Sequence, residues 1–240
     1  MNTSLLTFAL LAALSVHTAF SCEKCSNYEG PNLKITKTEA SYLPQINSFV
    51  MEIQVEGKAG ETYPIKRGQL DGAPVLGYVF PTSLKSTDVG FGKVEGIVAL
   101  AVTSHPDFDD TALWDENGDG SYDNDGKVWH THWVVLQGDE RVPGKLSVVQ
   151  FKPEDKAILP PTNPGMPMYM DSPGYTVVKH GNKIRVVLPA DRIRAAEFRF
   201  DAVTAFMQVN TSDKEKPMLG VYKAYSVASG DLSLPYSVKK

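Results

Sequence analysis

Between Phe49 and Glu56 the chain alternates: Phe49, Met51, Ile53 and Val55 fall on one side, and Glu52, Gln54 and Glu56 on the other. A period of two marks a β-strand with one dry face and one wet face. No apolar repeat of 3.6 residues longer than two turns appears anywhere in the 240 residues. Further short runs read as strands: 34–42, 73–80, 95–104, 128–136, 145–151, 176–179, 183–188, 198–209 and 220–227. The segment EGIVALAVTS (Glu95–Ser104) is apolar on both faces, as an inner strand would be. Glycine, proline and aspartate punctuate the runs. The pattern predicts an all-β fold, an antiparallel β-sandwich of immunoglobulin-like or jelly-roll-like type with long ordered loops. Only DRIRAAE (Asp191–Glu197) reads as helical, with Asp191 as its N-cap.

The first residues read differently. Leu5–Val16 is an apolar run of the length of a signal-peptide core, and Ala19 and Ser21 supply small residues before a cleavage ahead of Cys22. A membrane span needs about 20 apolar residues, and neither this run nor any later one reaches that. The expectation is an exported protein, periplasmic or extracellular, with a signal peptide at 1–21 and one β-sandwich domain at 22–240. In an oxidising compartment Cys22 and Cys25 pair as a small local disulfide; lipidation of Cys22 is the alternative. No Lys/Arg stripe stands out, which argues against nucleic acid.

Charge is concentrated in one place. From His105 to Gly126 the chain carries eight carboxylates (Asp107, Asp109, Asp110, Asp115, Glu116, Asp119, Asp123, Asp125) and no Lys or Arg. The other 20 acidic residues face 24 basic ones, so the net charge of -4 comes from this segment. Carboxylates so crowded repel one another, which predicts a bound cation. Asp115, Asn117 and Asp119 followed by Gly120 follow the ligand spacing of a calcium loop, with Ser121, Asp123 and Asp125 able to complete the shell. An EF-hand would place a glutamate at position 12, where this chain has Gly126. The expectation is a structural calcium site, with Asp107, Asp109 and Asp110 as further ligands or a second site; a solvated Asp/Gly-rich turn is the alternative.

The segment then runs into Trp129-His130-Thr131-His132-Trp133. On a strand, His130 and His132 share one face and the tryptophans the other. Two imidazoles at i, i+2 are placed to chelate copper or zinc. His105 is the expected third ligand, with Asp107 or His180 next. Hydrogen-bonded neutral histidines bracing the loop are the alternative. Met166, Met168 and Met170 alternate in a proline-rich stretch, and their soft sulphur suits copper(I), although methionine also fills irregular gaps. Catalytic signatures are absent: no G-x-S-x-G elbow, no H-E-x-x-H and no phosphate loop. A metal-dependent enzyme therefore ranks below a metal-binding protein.

GIVALAVTSHPDFDD running into an acidic turn, and later IRVVLPADRI followed by FRFDAVTAFMQVN, resemble the DOMON and family-9 carbohydrate-binding type of exported β-sandwich. The resemblance covers about half the expected mature chain. It implies a module that binds haem or a sugar, often with calcium, and it assigns no ligand residues here. Architecture of this kind does not settle function.

Overall fold

A computed structural model describes residues 23–111, 115–121 and 125–240. The expected signal peptide, Cys22, Trp114 and Asp123 lie outside the described residues. Among those described, thirteen strands follow in order: β1 (Ile35–Leu43), β2 (Ser48–Val55), β3 (Pro74–Pro81), β4 (Ile97–Ser104), β5 (His130–Gly138), β6 (Leu146–Val148), β7 (Met170–Asp171), β8 (Thr176–His180), β9 (Lys183–Pro189), β10 (Glu197–Phe200), β11 (Val203–Val209), β12 (Leu219–Val227) and β13 (Tyr236–Lys239). The described helical pieces are short 3-10 turns. The expected helix at 191–197 is one of them, Ala190–Arg192. Glu197 already pairs with Lys239 in a two-stranded ribbon, so DRIRAAE has no room for a second turn.

The all-β, antiparallel expectation holds, but the larger sheet is not an open sandwich layer. Its order is β4-β3-β11-β12-β6-β5-β7, and β4 also pairs with β5, so six strands close into a barrel with β7 attached to its side. Closure removes the exposed edges that an open sheet would present. A four-stranded sheet, β1-β2-β9-β8, packs on one side of this barrel.

The two-sided burial of the barrel strands follows from this arrangement. Every residue of β3 is buried. Its Leu76, Tyr78 and Phe80 join Phe49, Met51 and Ile53 of β2 and Ile184, Val186 and Leu188 of β9 in the layer between sheet and barrel. Its Val79 belongs with Ala99, Ala101, Val134, Leu136 and Ala205 to a separate apolar cluster inside the barrel. Trp129 and Trp133 are 3% and 0% exposed and lie in the interlayer core. At roughly 1.5–3 kcal/mol per large apolar side chain, this layer holds the two sheets together.

Strand parity mispredicts one residue. Glu52, expected on a wet face, is 5% exposed. β2 is an inner strand of its sheet, and Lys183 and Arg185 of β9 both pair with the Glu52 carboxylate.

Candidate metal centre

Strand pairing assembles the site. β4 ends at Ser104 and β5 begins at His130, and the antiparallel register sets Thr103 opposite His130 and Ala101 opposite His132. Both histidines therefore face the barrel interior. His105 follows directly on β4, and two contacts close the intervening loop: the His105 amide donates to Gly126 O at 2.7 Å, and Ser104 Oγ donates to Lys127 O at 2.8 Å.

Gly126 has to be glycine. Its φ is +92°, and a Cβ there would lie 2.0 Å from Phe108 O and 2.4 Å from His105 O. The close approach folds residues 106–110 back over the end of β4. Phe108 stacks on the His105 ring with centroids 4.2 Å apart. Asp109 Oδ1 accepts the Thr111 amide, an Asx turn, and next to it Asp110 enters the barrel end.

Asp110 Oδ1 lies 3.4 Å from His105 Nε2, 3.3 Å from His130 Nε2 and 3.5 Å from His132 Nε2. His105, His130 and His132 are buried. Their outer nitrogens are committed elsewhere. His105 Nδ1 faces Phe108 O at 2.8 Å and His130 Nδ1 faces Val128 O at 2.7 Å. A carbonyl oxygen only accepts, so both protons sit on Nδ1 and both Nε2 lone pairs point inward. His132 Nδ1 lies 3.0 Å from Ser172 Oγ, on the residue after β7.

The two Nε2 nitrogens converge on each other and on Asp110. His105 Nε2 and His130 Nε2 are 2.7 Å apart, and Asp110 Oδ1 is buried without a hydrogen-bond partner. Two acceptors at that separation repel unless a proton or a cation lies between them. Burial lowers the His105 imidazole, but the Asp110 charge outweighs it and holds the group above its ordinary value. Burial takes His132 down to about 3 against the pull of Asp110, and the His130 and His105 rings add to the fall. Burial alone would raise Asp110, yet the imidazoles of His132 and His105 hold it well below the usual carboxylate range. The cluster is thus a fixed negative charge ringed by basic nitrogens, a group that could hold a metal ion.

The other candidate residues are placed as follows. Asp107, the alternative to His105 as third ligand, is outside the cluster: its Oδ1 accepts the amides of Arg67 and Gly68 at 2.7 and 2.6 Å. His180, at the end of β8, is likewise not in the cluster. Met166 and Met170 line the barrel interior and Met168 packs in its apolar cluster. Cys25 is buried and disulfide-bonded. Neither described tryptophan offers a surface platform for a sugar.

In the acidic loop, backbone amides meet much of the charge. Asp115 Oδ1 accepts from Gly118 and Asp119, and Asp115 Oδ2 accepts from Gly120. Asn117 Oδ1 accepts from Asp119, and Asp119 Oδ1 accepts from Ser121. Glu116 takes the Val128 amide, and Asp125 Oδ1 takes that of Glu116.

Residue type alone does not mark Phe108, Gly126 or Ser172 as participants. The sequence offers Asp110 only as a further ligand of the acidic loop or of a second site there. The one cue for it was its place in the run that begins at His105, close enough to return to that ring. No family model, curated protein or solved structure matches this chain.

Proposed function

We propose that this protein binds one divalent transition-metal ion through His105 Nε2, His130 Nε2, His132 Nε2 and Asp110 Oδ1. One observation carries the reading: three imidazole Nε2 atoms lie 3.3–3.5 Å from one buried carboxylate oxygen that has no hydrogen-bond partner. Three nitrogens and one oxygen suit a borderline ion such as zinc or copper(II), not copper(I). Zinc bonds of about 2.0–2.1 Å give tetrahedral edges of about 3.3 Å. The three contacts to Asp110, at 3.3–3.5 Å, match that edge, while the 2.7 Å between His105 Nε2 and His130 Nε2 is shorter, so the donor set fits zinc or copper(II) without choosing between them. The Nδ1 contacts to two carbonyls and a serine hydroxyl are the outer supports that orient imidazole ligands.

Cobalt(II) titration of the metal-free protein tests this. The visible bands of a four-coordinate site should saturate at one equivalent and disappear on adding zinc. They should be missing in His130→Ala and His132→Ala; bands that persist in both variants refute the assignment.

Calcium in the 115–125 loop is a second reading, favoured by Asp125. That residue is 1% exposed, and its Oδ2 has no partner. A calcium-selective chelator should then lower the melting temperature of zinc-loaded protein; no change counts against it.

A further inference from the structure

The closed sheet does not fill its own interior. A cavity of about 330 Å³ runs through the barrel, the space of about eleven water molecules at liquid density. Small barrels normally fill their interiors with side chains. Here Ala101 and Ala205 face inward where larger residues would close the gap.

The two ends differ. At one, His105, Asp110 and His132 meet Thr103, which is 4% exposed and whose Oγ1 has no hydrogen-bond partner. At the other, Pro81 and Ile97 form the rim with Leu232 and Leu234. Those two leucines take φ values of +60° and +54°. Left-handed backbone is uncommon for leucine and persists only where the surroundings impose it.

Water would find few partners along such a wall, so the occupant has an apolar body. The metal end sets the other half of its chemistry. Asp110 and a divalent cation together leave one buried positive charge, which an anionic head group would neutralise. We infer that the barrel interior binds a medium-chain aliphatic carboxylate of about ten heavy atoms, tail between the barrel walls and head accepting from Thr103 Oγ1 beside the positively charged metal site. The head contact rests on the metal reading above; the tail contact does not.

Calorimetric titration of the zinc-loaded full chain with butanoate through octanoate tests it. Binding should be one to one and tighten about fourfold per methylene, roughly 250-fold across the series. Ala101→Leu should remove the advantage of the longer chains, and Ala205→Leu should do the same if the first variant does not fold. Octanoate binding no tighter than butanoate, in protein shown to hold zinc, overturns the inference. Should the protein take no metal, the metal reading fails separately. A matched series of 1-alkanols then judges the cavity: affinity rising with chain length supports it, and a flat series overturns it.

Discussion

Asp110 decides whether the histidine cluster is a metal site or a braced corner of the core. A buried carboxylate oxygen without a donor costs on the order of 1–3 kcal/mol, and the metal-free protein bears that cost. Asp110→Asn replaces the charge with an amide that can donate to an imidazole nitrogen. The metal-free variant should therefore melt no lower than the metal-free wild type, while its stabilisation by zinc is lost. Thermal melts with and without chelator read both effects, and an undiminished zinc shift in the variant would contradict the assignment. At this scale the sequence was informative about the histidines, because strand parity put His130 and His132 on one face and His105 beside them. It pointed to Asp107 instead of Asp110, since the turn that aims one and not the other depends on Phe108 stacking and on the close approach at Gly126. Neither is visible in residue type.

Two elements at the ends of β5 can be tested apart from the centre. The loop from β4 to β5 depends on Gly126, where any side chain is both strained and in collision with two carbonyl oxygens. Gly126→Ala should cost about 2–4 kcal/mol and weaken metal binding with it; a wild-type denaturation midpoint would show that the loop does not pack this closely. The β5–β6 hairpin is held by Asp139, which accepts from Arg141 Nε and Nη2 and from Ser147 Oγ. The Arg141 bonds, with help from Ser147, hold this carboxyl down to about 2. The unfolded value is about 3.9, so the contribution is fully present above that pH and is lost as pH falls through about 2. Screened by solvent at the half-exposed Arg141, it amounts to about 1 kcal/mol. Asp139→Asn should remove it, flattening the loss of stability between about pH 4 and pH 2; an acid denaturation curve parallel to that of the wild type would contradict this. Most strands were legible from their alternation, and the single run expected at 198–209 is two strands, β10 and β11, in different sheets because the chain turns at Asp201 and Ala202; Met170–Asp171 and Tyr236–Lys239 were not legible. The first is two residues inside a proline-rich stretch, and the second depends on pairing with a distant partner.

For the whole molecule, closure of the barrel is what makes a site from residues 25 positions apart. EGIVALAVTS was apolar on both faces, which suits an inner sandwich strand and a barrel strand equally, so local pattern could not tell the two apart. What separates them is the β4–β5 pairing across the acidic loop, a long-range contact that periodicity does not encode. If a metal fastens that seam, its removal should loosen the whole fold. At free metal 1,000 times Kd, binding contributes about 4 kcal/mol, or roughly 8–16 °C in melting temperature for a domain of this size. The most direct measurement is elemental analysis of the untagged full chain, purified without chelator and then exposed to zinc and copper before exhaustive dialysis. About one transition-metal ion per chain is expected in the wild type and none in the His130→Ala, His132→Ala double variant. A wild-type protein that stays metal-free after that exposure would contradict the assignment, leaving one shared proton to hold the three histidines and Asp110 together.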